Sequence, residues 1–407
     1  MTSDHQSNLR KLAQTCVQFG VNIQPGQELL ITAPIAARDL VRMITEEAFK
    51  AGAVGVIPLF SDDGATLARY EHGSDAALEH ASGWLFEAMG AALSSGKTAR
   101  LAISGDTPGL LAHIDPAKVA KSNKAQAAAY RPFLDAIVGN NTNWNIIPFV
   151  TPGWAAKVFP DDPADIAQSK LWELIFKATR IDQPNPVASW QKNFDELKRR
   201  EGILNDHAFS ALHFEGGGTD LTVGLAKGHK WVGGGQTLPN GTEYAPNLPT
   251  EEVFTMPDRN RTEGRAVFTK PVSVAGSIVE GLVVEFTGGK ATKVTADVGQ
   301  DVIAKYFATD DGASHLGEVA LVAKSSPIAE TGTLFFNTLF DENAACHIAF
   351  GNAYAMNLRE GFAAEDAVMN TSQIHMDCMI GHAGIHVSGI GSDGQRVPIM
   401  VDGEFVI

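Results

Sequence analysis

The stretch ELLITAPIAARDLVRMITEEAFKAGAVGVIPLF, Glu28 to Phe60, reads as strand, helix and strand. Glu28–Thr32 is a short apolar run that follows the turn residues Pro25 and Gly26. AARDLVRMITEEAFKAGA then repeats apolar residues at helical spacing and stops near Gly52, and VGVIPLF follows as a second buried strand. The same alternation continues downstream. RLAISGD (Arg100 to Asp106) is a third strand and WNIIPFVTPGW contains a fourth. Short apolar strands separated by helices predict a parallel sheet covered by helices. Two amphipathic helices, SKLWELIFKATRI and SWQKNFDELKRREGILN, close this part; DQPNP separates them, and Ser189 is the expected cap of the second.

Past about residue 205 helical periods become scarce. HFEGGGTDLTVGL, KWVGGG, SIVEGLVVEFTGGKATKVTA and QRVPIMVDGEFVI are short strands with glycine-rich turns, and Gly288-Gly289 and Asp402-Gly403 sit where hairpin turns belong. The expectation is an α/β N-terminal domain with a mainly parallel sheet over residues 1–200, then a mainly antiparallel β (α+β) domain over residues 201–407, the one that would bind metal and carry catalysis.

The 407 residues are 44% hydrophobic and 19% charged, an ordinary globular composition, and the formal net charge of -15 argues against nucleic acid or an anionic membrane as partner. No apolar run reaches membrane-spanning length, and the N-terminal stretch lacks the pattern of a signal peptide. The three cysteines, Cys16, Cys346 and Cys378, are too few and too far apart for a disulfide framework. A reduced, cytoplasmic setting is expected.

Most of the twelve histidines lie in the β-rich part. In SQIHMDCMIG (Ser372 to Gly381) strand alternation turns Ile374, Met376, Cys378 and Ile380 one way and His375 and Asp377 the other. Strand residues two apart have Cα atoms about 6.6 Å apart, so this pair can converge on one ion. PTEEVFTMPDR adds Glu251 and Glu252, HLGEVALV adds Glu318, and LFDENAACHIAFGNAY adds His347. Taken singly each has an ordinary reading: a hydrogen-bonded core histidine, a solvated glutamate pair, the start of a strand. Taken together, Glu252, Glu318, His347, His375 and Asp377 supply three carboxylates and two imidazoles without thiolate. That donor set suits zinc, cobalt or manganese at a catalytic site, with magnesium as a further option, and five donors suit two ions sharing a carboxylate. Alternation turns Cys346 and Cys378 away from such a site, as small core residues.

NLPTEEVFTMPDR, HLGEVALV, LFDENAACHIAFGNAY and SQIHMDCMIG, in this order and spacing and together with GGGTDLTVGL, resemble the thermophilic aminopeptidase family, the leucyl aminopeptidases typified by aminopeptidase T and aminopeptidase S. The family often has an aromatic residue where Cys378 stands. The resemblance implies a metal-dependent aminopeptidase that removes N-terminal residues from peptides with a free N-terminus, using water activated by two divalent ions. It implies Glu252, Glu318, His347, His375 and Asp377 as ligands, with Glu318 bridging, Tyr354 at the metal centre, and a homodimer. Glu251, beside a ligand, is the candidate proton shuttle, with a plain second-layer or exposed carboxylate as the alternative; Asp220 is a candidate for the substrate amine. The competing readings are another dinuclear metal hydrolase, acting on amides or phosphate esters, and a non-enzymatic metal-binding protein. GDTPGLL follows a strand but lacks the glycine spacing of a dinucleotide site.

Overall fold

The computed structural model describes residues 3–274, 277–365 and 367–407. The chain divides into two compact units: Met1–Gln191 with Gly235–Pro249, and Lys192–Gly234 with Thr250–Ile407. The division falls within the helix Pro186–His207, and the segment 235–249 groups with the first unit, so no single cut along the chain separates the two.

In the first unit, strands β1 (Glu28–Pro34), β2 (Gly55–Ser61), β3 (Thr98–Ser104) and β4 (Trp144–Pro148) form a four-stranded sheet in the order β2-β1-β3-β4, with every pairing parallel. Helices Arg38–Lys50, Gly83–Ser94 and Pro116–Val138 lie among the connections, as parallel pairing requires. Central β1 buries Leu29, Leu30 and Ile31. The expectation for VGVIPLF needs correction: β2 is not a buried strand. Ile57 is 43% and Phe60 41% exposed. The strand order puts β2 at the sheet's edge, where Pro58 also fits because it has no N–H to donate to a further strand. The expected Ser189 cap is corrected too. The helix begins at Pro186, Asn185 Oδ1 accepts the Ala188 N–H at 3.1 Å, and Ser189 lies a turn inside, its hydroxyl donating to the Asn185 carbonyl. Proline at the first helical position after asparagine starts the helix earlier than its apolar period suggests.

The second unit is antiparallel throughout its two larger sheets. The eight-stranded sheet includes the hairpin Val283–Thr287/Lys290–Thr295, turned at Gly288-Gly289, and the hairpin Arg396–Val401/Glu404–Phe405, turned at Asp402-Gly403, all four turn residues having positive φ. The five-stranded sheet carries the candidate site. Its strands are β5 (Val232–Gly233), β6 (Glu252–Thr255), β7 (Leu316–Val322), β8 (His347–Gly351) and β9 (His375–Met379), in the order β9-β8-β7-β6-β5. No helix among the described residues is long and apolar enough to cross a membrane.

Candidate metal centre

Register decides which side chains share a face of the five-stranded sheet. Across β7 and β8, Ala320 pairs with His347 and Glu318 with Ala349. Across β8 and β9, Ala349 pairs with Asp377 and Gly351 with His375. Across β6 and β7, Glu252 pairs with Val322. Directly paired residues of antiparallel strands lie on the same face, as do residues two apart on one strand. Glu252, Glu318, His347, His375 and Asp377 therefore all stand on one face. Four of these five face Ala320, Ala349 or Gly351 across the strands, so the space between them is not filled by larger side chains.

A bulge at Gly317 sets Glu318 on that face. Leu316 pairs with Phe350 but Glu318 pairs with Ala349, leaving one extra residue on β7. Leu316 thus turns to the core with Phe350, while Glu318, two residues on, does not follow it. A side chain at Gly317 would drive its Cβ into the carbonyl oxygens of Gly351 and Asn352. The opposite face packs Val253, Val319, Leu321, Ile348, Phe350 and Cys378, all buried. Cys346 Sγ rests on the Val322 backbone and Met400 Sδ. All three cysteines are buried and free.

On the site face the donors form two groups that share Glu318: Glu252, Glu318 and His347, and Glu318, His375 and Asp377. Within each group the donor atoms lie within 4.8 Å of one another, close enough to close on one ion with bonds of about 2 Å after small side-chain shifts. His347 Nε2 lies 3.3 Å from Oε2 of Glu252 and 3.4 Å from Oε1 of Glu318. His375 Nε2 lies 3.3 Å from Oδ1 of Asp377 and 3.9 Å from Oε2 of Glu318. Glu318 thus offers one oxygen to each group. Both imidazoles are oriented from behind. His347 Nδ1 donates to the Ala345 carbonyl at 3.1 Å and His375 Nδ1 to the Asn352 carbonyl at 2.8 Å. A carbonyl only accepts, so the neutral ring carries its proton on Nδ1 and presents the Nε2 lone pair to the site, as metal-bound histidines do. Oε2 of Glu252 is buried without a hydrogen-bond partner. A buried carboxylate oxygen facing the lone pair of the His347 imidazole, with Glu318 beside it, fits a divalent cation.

Without an ion, charge in the cluster balances through protons. Burial disfavours the His347 cation, but the carboxylates of Glu252 and Glu318, and beyond them Asp377, hold its pKa well above the usual imidazole range. At His375 burial is likewise outweighed, by Asp377 and Glu318, and the pKa is pushed up to about 9. Burial raises Glu318, and neighbouring Asp377 and Glu252 add to this against the His347 hydrogen bond. Burial would also raise Asp377, but the hydrogen bond and charge of His375 keep it below the usual carboxylate range.

Of the other residues singled out in the sequence, Tyr354 stands by the cluster. Its ring centroid lies 4.8 Å from that of His375. The residue is 40% exposed overall, but partial desolvation of the phenol, reinforced by Glu318 and Asp377, pushes its pKa up, so it stays a hydroxyl donor. Glu251 belongs to neither donor group. It is buried, its backbone N–H donates to Asn343 Oδ1 at 2.7 Å, and its charge is felt at Arg200. Asp220 is not in the cluster either; it pairs with His213 on the eight-stranded sheet at 2.9 Å. Glu342 escaped the sequence reading. It lines one cavity with His375 and Asp377, and its carboxyl pKa is driven well above the usual range by burial and then by the charges of Glu252, Asp377 and Glu318. It sits in a single 3-10 turn, Glu342–Ala344, where no period marks it; its place just upstream of ACH was the available signal.

A sequence profile of thermophilic metalloproteases (M29) matches residues 5–405. Among similar curated proteins, aminopeptidase T of Thermus aquaticus is 47% identical over 403 residues, 98% of each chain. Aminopeptidase 2 of Geobacillus stearothermophilus is 39% identical, again with 98% of each chain covered. The solved structure of wild-type AmpT from Thermus thermophilus superposes with a TM-score of 0.95 at 45% identity, covering 99% of this chain and 100% of that one.

Proposed function

We propose, for a chain that belongs to the thermophilic metalloprotease (M29) family and is a metal-dependent aminopeptidase, that hydrolysis runs on two divalent ions held between Glu252, Glu318, His347, His375 and Asp377. The observation that carries this reading is Glu318, whose two carboxylate oxygens address the two donor groups separately. Mixed nitrogen and oxygen donors without sulfur favour zinc, cobalt or manganese, with magnesium a weaker option. When bound, such ions supply Lewis acidity toward the scissile carbonyl and a water acidic enough to act as hydroxide near neutral pH.

The chain's own groups do the rest. Ala345 and Asn352, through their carbonyls, fix the two imidazoles so that Nε2 faces the centre. Tyr354, held as a neutral phenol beside His375, donates its hydroxyl to the oxyanion that develops as the carbonyl is attacked. Glu251, buried and next in sequence to the ligand candidate Glu252, is the proton shuttle of this reading, returning the proton to the leaving amine. Peptides with a free N-terminus are the substrates. A homodimer completes the reading on the family resemblance, and a cytoplasmic setting on three buried thiols outside any disulfide.

Chelator-stripped protein is expected to lose hydrolysis of aminoacyl-p-nitroanilides and to regain it with zinc, cobalt or manganese at two ions per chain. Saturation at one ion per chain with full activity would sink the two-ion reading. Glu251→Gln with an unchanged pH-rate profile would remove the proton shuttle alone.

A further inference from the structure

A cavity of about 260 Å³ adjoins the second donor group, with His375 and Asp377 in its wall. It is smaller than the roughly 300–1,000 Å³ of sites that enclose a whole drug-sized ligand, and suits one amino-acid residue. Val272, Ile278, Leu334 and Phe336 form apolar wall on one part of it, and Tyr306, Asn337, Thr338 and Glu342 line the rest with polar groups.

Phe336 is held there under strain. Its φ is 54°, in the left-handed region that bulky residues seldom adopt. Asp341 imposes it: Oδ1 accepts the Phe335 N–H at 2.8 Å and Oδ2 accepts the Asn337 N–H at 2.9 Å. A carboxylate closed over both flanking amides fixes the turn, and strain kept in place this way collects at binding sites. The next residue but one to Asn343, Asp341, is thus fully engaged with backbone, whereas its neighbour Glu342 is not. The hydrogen bond that reaches the Glu342 carboxylate comes from Asn343 Nδ2 at a long 3.4 Å, and among the described residues no lysine or arginine pairs with it. Among the described residues it forms no ion pair; the charge of His347 reaches it only through space.

In a peptide only the Cα separates the α-ammonium nitrogen from the first carbonyl carbon. Groups that hold the N-terminal side chain and its ammonium must therefore both adjoin the centre where that carbonyl is attacked. We propose that this cavity seats the N-terminal residue of the substrate, with Phe336 and its apolar neighbours against the side chain and the Glu342 carboxylate against the α-ammonium group. The assignment rests on the two-ion reading above. It makes Phe336 the residue that favours leucine- or methionine-sized side chains over glycine. Asp341 is a positioning residue for Phe336.

The test is calorimetric binding of three hydroxamates to the metal-loaded full chain: leucine hydroxamate, glycine hydroxamate, and 4-methylpentanoic hydroxamic acid, which is leucine hydroxamate without its amine. All three present the same chelating group, so ratios between them report the side-chain and ammonium contacts. The wild type is expected to bind leucine over glycine hydroxamate by about tenfold or more, as apolar pockets discriminate. Phe336→Ala and Phe336→Gly should both bring that ratio near unity; glycine accepts the left-handed backbone freely, so the second variant separates loss of the ring from loss of the turn. Glu342→Gln should abolish the preference for leucine hydroxamate over its amine-free analogue and leave the leucine-to-glycine ratio intact. Unchanged ratios in folded, metal-loaded variants overturn the proposal while the two-ion reading stands. Failure of metal-loaded wild type to bind any hydroxamate overturns both.

Discussion

Strands β1 and β8, each inside a sheet of its own unit, are both deeply buried, yet they are built differently. β1 carries large apolar side chains on both faces, Leu29 and Ile31 on one and Leu30 on the other. β8 carries Ile348 and Phe350 on one face, and His347, Ala349 and Gly351 on the other. A strand that only packs is large on both sides. A strand that builds a site is small on one, because the room there is kept for something other than side chains. Across the sheet the same rule pairs His347 with Ala320, Glu318 and Asp377 with Ala349, and His375 with Gly351.

The comparison can be broken at several strengths. Glu318→Gln should do most, because it weakens both donor groups at once. Turnover of an aminoacyl-p-nitroanilide should fall on the order of 1,000-fold, well past the 10–100-fold typical of losing an outer-layer partner, with the metal count dropping below two. Normal metal content with full activity would refute the shared-carboxylate role. Ile31→Ala, in the strand that only packs, should cost about 2–5 kcal/mol in denaturant unfolding with the metal count unchanged.

The third prediction concerns pH. In the metal-free chain the His375 pKa is raised from 6.5 to about 9. A raised pKa means that protonation stabilises the fold, fully below about pH 6.5 and progressively less as pH climbs through 9. Metal-free protein should therefore lose stability across that window, on the order of 3 kcal/mol at the limit, whereas the metal-loaded form should not. Metal uptake should release protons in the same window, measurable by titration in buffers of different ionisation enthalpy. Parallel stability curves for the two forms would contradict the arrangement.

Ala349→Leu fills the space opposite both Glu318 and Asp377. Metal affinity should weaken by roughly 10–100-fold, although no donor is altered. The smallest effect belongs to the edge strand: Ile57→Thr should change stability by no more than about 0.5 kcal/mol, because that side chain is 43% exposed.

Much of this was legible beforehand, and unevenly so. The parallel half followed from buried runs alternating with helices, since a covered parallel strand has no polar face to interrupt it. That same uniformity hid the position of β2. An apolar run says a strand exists but not whether a neighbour lies beyond it, and VGVIPLF turned out to be the edge. The donors of the site were legible as types and spacings, because a histidine and an aspartate two apart on a strand share a face whatever the fold. Glu342 was not, because a single 3-10 turn has no period. Asn185 was missed as a cap although the Asn-Pro pair ahead of the helix announced it.

Local chemistry alone thus determined which residues offer donors of a kind a metal takes, that His375 and Asp377 share a face, and that Cys346 and Cys378 turn away. These follow from alternation along one strand, an interaction of near neighbours. Bringing Glu252, Glu318, His347 and the pair together, with one carboxylate between two groups, was decided by strand order, by register and by the bulge at Gly317. Those depend on backbone hydrogen bonds between segments far apart in sequence, and no spacing along the chain encodes them.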